Sequence, residues 1–346
     1  MKHKQILTGL AICATGGGLF SVLHAPLPWM IGPLLAMACA KFFGAHVASP
    51  KGGRAIGQVI IGCALGLYFT PVVALEVAAH WYLLIAAAVF AVLLAYASGW
   101  FLSRSTGLDG TTALFASVPG GAAEMTILGE RFGARSDRVV LAQSLRVMIV
   151  VVLVPVLFTW LGVHGADPYS PARLDVNVAG LLALLAMAAA GGALLAKAGV
   201  PNAWMLGPLA VAIALTVDEV GLSAIPVWLS NAAQLLLGCA LGSNFESASL
   251  RTASRFIVMV CISVALAILM SALFAWGIAL AGAVPTSTMV LATAPGGMAE
   301  MCVTAKVLQL GVPLVTAAHV ARVLIVVTTT APVFRIAKRI RSAFSG

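Results

Sequence analysis

Apolar residues fill this chain in long, nearly unbroken stretches separated by short polar or Pro/Gly-rich connections, with neither the two-residue alternation of a strand nor the single stripe of an amphipathic helix. Six stretches occupy the first half, at about 6–23, 29–43, 56–77, 81–102, 111–132 and 139–161. Six more occupy the second, at about 178–198, 203–217, 227–245, 256–281, 286–309 and 312–336. A helix needs roughly 20 apolar residues to cross the hydrocarbon of a bilayer, and most of these runs approach that length. The pattern predicts an all-α, polytopic transmembrane helical protein.

The two halves are copies of one another. Trp29-Met30-Ile31-Gly32-Pro33-Leu34 returns as Trp204-Met205-Leu206-Gly207-Pro208-Leu209, and Gln58 to Gly66 returns as Gln234 to Gly242. Pro119-Gly120-Gly121-Ala122-Ala123-Glu124-Met125 returns as Pro295-Gly296-Gly297-Met298-Ala299-Glu300-Met301, and Arg146-Val147 returns as Arg322-Val323. The offset is 175 for the first pair and 176 for the others. Ordered blocks at one spacing mean an internal duplication. The polar stretch 163–177 reads as the joint, giving a first membrane repeat over 1–165 and a second over 176–346.

In each copy the fifth stretch is interrupted by Pro-Gly-Gly. Proline removes a backbone donor and clashes with the preceding turn, and paired glycines do not hold a helix across the gap, so two half-helices are expected. Charge decides whether this segment crosses. If it turns back, Arg131, Arg135, Arg138, Arg251 and Arg255 join the inner side, and only Arg173 and Lys306 remain outside. The excess of Lys/Arg on cytoplasmic loops favours that arrangement, with about five crossings per copy and one broken or re-entrant helix. An odd number of crossings inverts the second copy. Inverted repeats commonly hold a binding site at the midplane, between discontinuous helices. Taking another short stretch, such as 56–77, as the one that does not cross gives 13 Lys/Arg inside against 5 outside, a weaker bias than 16 against 2, and inversion survives that exchange.

Composition agrees. Only 9% of the 346 residues are charged and 61% are hydrophobic, far from the roughly 25% charge of soluble domains. The formal net charge of +9 reads as topology rather than nucleic-acid binding. Lys2 and Lys4 ahead of the first apolar run suggest a retained helix starting inside, with both termini cytoplasmic and the chain in the bacterial inner membrane. Cys13, Cys39, Cys63, Cys239, Cys261 and Cys302 show no metal or redox spacing, and His3, His24, His46, His80, His164 and His319 are scattered. Neither a metal nor a cofactor is expected, and no enzymatic centre.

The candidate binding residues are ionisable or polar groups set in apolar sequence. Glu124 and Glu300 follow the glycines of each break, and Arg146 and Arg322 sit deep in long apolar helices. A charge at bilayer depth is costly unless paired or hydrated. Pairs Glu124–Arg146 and Glu300–Arg322 are expected, within a copy or exchanged between copies. His319 lies at i−3 from Arg322, where the first copy has Gln143, and reads either as a proton-sensitive element or as a satisfied interior histidine. Pro119, Gly120, Gly121, Pro295, Gly296 and Gly297 form the breaks, which are tolerated at depth when they line a cavity or are buried by protein. Gln58 and Gln234 are placed to reach a substrate or a neighbouring helix. Gly62-x-x-x-Gly66 and Gly238-x-x-x-Gly242 read as packing faces, and Trp29 and Trp204 as interfacial anchors where their helices begin.

The duplicated Pro-Gly-Gly-x-x-Glu-Met and Trp-Met-x-Gly-Pro-Leu blocks resemble the AbrB family of bacterial integral membrane proteins, over essentially the whole chain. That family carries an internal duplication and labels such as regulator of gene expression or ammonia monooxygenase. The residues support neither label directly. An oxygenase needs clustered His or carboxylate ligands, and no helix-turn-helix or basic soluble segment exists for DNA; the basic tail of Arg335, Lys338, Arg339 and Arg341 reads as a stop at the inner face. The reading is a secondary transporter or permease for a small solute, with anionic solutes among the candidates, working by alternating access. The competing class is a non-transporting sensor that affects gene expression indirectly. The expected partners are the lipid bilayer and a small-molecule solute, with no nucleic acid; assembly as a homo-oligomer is left open.

Overall fold

The computed structural model describes residues 2–165, 169, 171, 175–245, 254–281, 284–326 and 328, and the regular structure among them is entirely helical. The first copy builds α1 (Lys2–Val22), α2 (Pro28–Phe42), α3 (Gly53–Gly66), α4 (Pro71–Ala79), α5 (Trp81–Thr106), α6 (Gly110–Ser117), α7 (Ala122–Arg131) and α8 (Ser136–Trp160). The second builds α9 (Val178–Lys197), α10 (Ala203–Val217), α11 (Val227–Gly242), α12 (Ser254–Ala281), α13 (Thr286–Thr293), α14 (Met298–Leu308) and α15 (Val312–Val326). Arg173, Arg251 and the tail bearing Arg335, Lys338, Arg339 and Arg341 lie outside the described residues.

Local chemistry sets the helix ends. Thr70 Oγ1 accepts the Val73 N–H at the start of α4, Asp109 Oδ2 accepts that of Thr112 at α6, and Asn177 Oδ1 accepts those of Ala179 and Gly180 at α9. Gly107, at φ 71°, closes α5 in the left-handed conformation. Both Pro-Gly-Gly segments break as expected: α6 stops at Ser117 and α7 begins at Ala122, while α13 stops at Thr293 and α14 begins at Met298.

The broken segments turn back. Just past α7, the Arg135 N–H donates to Thr112 Oγ1 in the first turn of α6, at 2.9 Å. In the second copy, Gly311 just past α14 packs against Thr288 in the first turn of α13. Two faces of the molecule follow. On the first, the end of α5 (Thr106), the start of α8 (Arg135, Arg138) and the start of α12 (Arg255) surround one cavity. On the second, the start of α5 (His80), Gly165 beyond α8, Pro285 before α13 and Gly311 before α15 surround another. Helix α5 therefore runs from the second face to the first, and its counterpart α12 runs the other way. The copies are inverted, and each places one re-entrant hairpin among its crossing helices.

Among the described residues, five helices are long and apolar enough to span a bilayer: α1, α5, α8, α9 and α12. The bent pair α3–α4, at 92°, qualifies as a sixth span if taken together. Of these, α8 is the most enclosed, with 61% of its apolar window buried against 17–33% for the other four long helices, which leaves those four to face lipid.

The spatial units are not the sequence repeats. One bundle combines α1–α3 with α9–α11, and the other combines α5–α8 with α12–α15. Glycines hold the first bundle together. A Cβ on Gly32 would collide with the Gly16 carbonyl of α1, and one on Gly207 would meet the Gly191 backbone of α9 at 2.5 Å. The Gly-x-x-x-Gly faces pack as expected, but across copies: Gly62 and Gly66 of α3 lie on α10, and Gly238 and Gly242 of α11 lie on α2. Trp29 and Trp204, expected as interfacial anchors, lie over Gly17 and Gly192 of the preceding helix, so packing is part of their role.

Candidate functional site

Each half-helix that enters the protein ends on unpaired carbonyls, which an arginine from the same copy satisfies. Arg146 on α8 donates through Nη1 to Ser117 O at 3.1 Å and Val118 O at 3.0 Å, and through Nη2 to Gln143 Oε1 at 2.7 Å. Arg322 on α15 donates through Nη1 to Ala294 O and through Nη2 to Gly296 O, both at 2.8 Å. The side chains of Arg146 and Arg322 are 5% and 3% exposed. A cation at a helix C-terminus is favoured by the macrodipole, and charge-assisted hydrogen bonds of this kind each contribute about 1.5–3 kcal/mol.

This corrects the expected pairing. Among the described residues no ion pair joins Glu124 or Glu300 to Arg146 or Arg322. The half-helix carbonyls are closer and cannot move away, so they take the guanidinium donors. Gln143 and His319, at matching positions, complete the same anchoring. Gln143 Nε2 donates to Phe115 O and Val118 O at 2.8 Å each, and His319 Nε2 lies 3.0 Å from Leu291 O, the counterpart of Phe115. His319 is fully buried and lines neither cavity described below, which favours its structural role.

The glutamates belong to the other side of the breaks. Each sits in the first turn of the returning half-helix, with its carboxylate folded over its own N-cap glycine, Gly121 or Gly297. Glu124 Oε1 also accepts the backbone N–H of Asn202 at 2.7 Å, a contact between bundles and between copies. Asn202 precedes α10 in the left-handed conformation at φ 54°, as its counterpart Leu27 does before α2 at φ 48°.

Two cavities meet at the breaks. A wide one of about 520 Å³ opens between α7 and the α3–α10 side of the first bundle, and is lined by Glu124, Arg54, Gln58, Gly121, Arg131 and Asn202 among others. A narrow one of about 40 Å³ lies deeper and takes in Pro119, Gly120, Gly121, Gly296, Gly297, Glu300 and Arg322. Arg54, Gln58, Gly121 and Asn202 line both, so the wide cavity leads to the place where the two breaks meet. Gln58 Nε2 donates to Asn202 Oδ1 at 3.3 Å. Gln234, its counterpart, is buried and lines neither cavity. Arg146 and Pro295 line a crevice behind the breaks that shares Pro119 and Arg322 with the narrow cavity.

Sequence reasoning missed Arg54, Ser144, Asn202 and Asn244 at these cavities. Arg54 stands one turn before Gln58 and carried a usable signal; Asn202 and Asn244 lie in connections and carried none. Among the described residues no cluster of His, Cys, Asp and Glu has the geometry of a metal site.

Comparison with known proteins extends over nearly the whole molecule. Residues 29–338 match the family described as "Transition state regulatory protein AbrB". The chain is similar to "Uncharacterized protein YhjN" of Bacillus subtilis (strain 168), with 29% identity, covering 97% of this chain and 94% of the relative. It is also similar to "Putative regulator AbrB" of Escherichia coli (strain K12), with 27% identity and 90% of each chain covered. The duplicated motifs, the polytopic helical fold and this end-to-end match together make the chain a member of the AbrB family.

Proposed function

We propose that this protein is an inner-membrane secondary transporter or permease for a small polar solute, with anion-bearing solutes the favoured class, and that it works by alternating access between its inverted repeats. The observation that carries this reading is that equivalent positions of the two copies have different surroundings. Ile127 on α7 is 56% exposed, whereas its counterpart Val303 on α14 is 1% exposed. Glu124 fronts the wide cavity and is half-buried, whereas Glu300 is 2% exposed at the deep end. Two copies of one unit, one opened to a face and the other packed shut, are what a single state of an alternating-access protein requires. Exchange of the two environments would open the second face.

The open face carries Arg54, Arg131, Arg135, Arg138 and Arg255, and the positive-inside rule supports reading it, together with both termini, as cytoplasmic. The solute would enter past Gln58 and Arg54 and rest where the N-termini of α7 and α14 converge, which favours a negative group. Glu124 and Glu300 would exchange the coupling proton or cation. No bond-making chemistry is assigned to the site.

The printed name of the Escherichia coli relative favours a second reading, a sensor that uses the same cavity. Flux decides between them. Purified protein in proteoliposomes, loaded with a mixture of small metabolites and given proton and sodium gradients, should release at least one of them faster than empty vesicles. Ligand binding without flux would favour the sensor.

A further inference from the structure

We infer that the cavity at the end of α5 and the starts of α8 and α12 binds the phosphodiester of an anionic phospholipid from the surrounding leaflet, through Arg135, Arg138 and Arg255. The inference rests on the membrane-spanning fold and stands apart from the transport reading. The cavity holds about 310 Å³, which is the size of a small-ligand site. Three guanidiniums line it, and no Asp or Glu does so among the described residues. Asp137 beside them answers two at once, its Oδ2 lying 3.3 Å from Arg135 Nη2 and 3.3 Å from Arg138 Nε. Asp109 and Glu130 are engaged with the Thr112 N–H and the Ser136 hydroxyl, and pair with none of the three. Three cations less one carboxylate leave two positive charges unanswered at the cavity.

The donors are held in place and open to the cavity. The Arg138 guanidinium lies 5.3 Å over the Phe256 ring of α12, and its Nη groups are neither buried nor bonded among the described residues. Arg255 donates through Nη2 to Ser105 O at 3.1 Å, which ties α12 to the end of α5 and leaves Nη1 free. Two such forks suit the oxygens of a phosphate. All three arginines also stand at helix N-termini, Arg135 and Arg138 at α8 and Arg255 at α12, where the macrodipole disfavours cations and an anion between them offsets that. The depth is that of lipid headgroups, since α5 and α12 face lipid and the cavity lies at the ends of both. Trp100, exposed near the end of α5 and covered by the Arg104 guanidinium at 5.9 Å, marks the same level. Below it, Arg255 continues at i+3 and i+7 into exposed Val258 and Ile262, an apolar stripe along which acyl chains can lie. A basic pocket between crossing helices at the membrane surface favours an anionic head, whereas a zwitterionic head brings its own cation among the guanidiniums.

The test is native mass spectrometry of the full-length protein in mild detergent, titrated with phosphatidylglycerol or with phosphatidylcholine of the same acyl chains. One phosphatidylglycerol per chain should be held about fivefold more tightly than phosphatidylcholine. Arg138→Gln and Arg255→Gln should each weaken phosphatidylglycerol binding by about fivefold. Arg104→Gln, on the same face but outside the cavity, should not. Millimolar inorganic phosphate should leave the lipid in place. Equal binding of the two lipids, undiminished binding in both cavity variants, or an equal loss in Arg104→Gln would overturn the site. Displacement by inorganic phosphate would mark a site for free phosphate and overturn the lipid assignment. Should a variant fail to fold, lipid preference and phosphate competition in the unaltered protein still decide. Absence of solute flux in proteoliposomes leaves this result unaffected.

Discussion

Glu124 Oε1 in the first copy accepts the backbone N–H of Asn202 in the second at 2.7 Å, and so ties α7 of one bundle to the start of α10 in the other. The acceptor is charged and half-buried, and bonds of this type contribute about 1–2 kcal/mol after allowance for partial exposure. Glu124→Ala should lower stability by about that amount. Glu124→Gln, which keeps an acceptor, should recover at least half. Denaturant unfolding of the purified variants measures both, and equal stability of all three proteins would mean that the tie contributes nothing.

If the carboxylates also carry the coupling ion, charge and hydrogen bonding separate in the double variant. Glu124→Gln combined with Glu300→Gln should abolish pH-dependent uptake while leaving membrane insertion intact. Unchanged uptake in proteoliposomes would reduce both carboxylates to scaffolding.

The arginines hold the ends of the incoming half-helices, so their loss strands buried carbonyls as well as removing a cation. Arg322→Ala should cost on the order of 3 kcal/mol or more, and Arg322→Lys less, because an ammonium reaches one of the two carbonyls. Thermal unfolding should rank native above Lys above Ala. A reversal of Lys and Ala would contradict the capping role.

Close backbone approach separates glycines that look alike in sequence. A Cβ on Gly16 would sit 2.7 Å from the Gly32 carbonyl oxygen, whereas one on Gly18 meets nothing within 4 Å. Gly16→Ala should destabilise by about 1–3 kcal/mol through overpacking. Gly18→Ala should be neutral or stabilise by up to about 1 kcal/mol through helix propensity. Loss of stability in the Gly18 variant alone would refute the packing.

The duplication, the turned-back Pro-Gly-Gly segments and the inversion were legible in the sequence because each depends on local chemistry or on charge summed along the chain. Proline and glycine break a helix whatever surrounds them, and Arg135 and Arg255 fall on one face as the charge rule required. The partners of Arg146 and Arg322 were not legible. An ion pair and a carbonyl cap call for the same residue types, and only the fold shows that Val118 O and Ala294 O are nearer than any carboxylate. The packing of α3 on α10 was hidden for a related reason: Gly62 and Gly66 announce a close neighbour without naming it. The unequal surroundings of Ile127 and Val303 could not be read at all, since two copies of one motif carry no record of which is open.

Side-specific labelling tests the central claim most directly. In a background lacking the exposed Cys39, Ile127→Cys and Val303→Cys are treated with a membrane-impermeant thiol reagent from either side of the membrane. Alternating access predicts that Ile127→Cys reacts from the cytoplasmic side and Val303→Cys from the opposite side. It further predicts that a crosslink locking α7 against α10 protects the first and exposes the second. If Val303→Cys stays unreactive from both sides with and without the lock, while Ile127→Cys reacts throughout, the two copies do not exchange environments and the transporter account is contradicted.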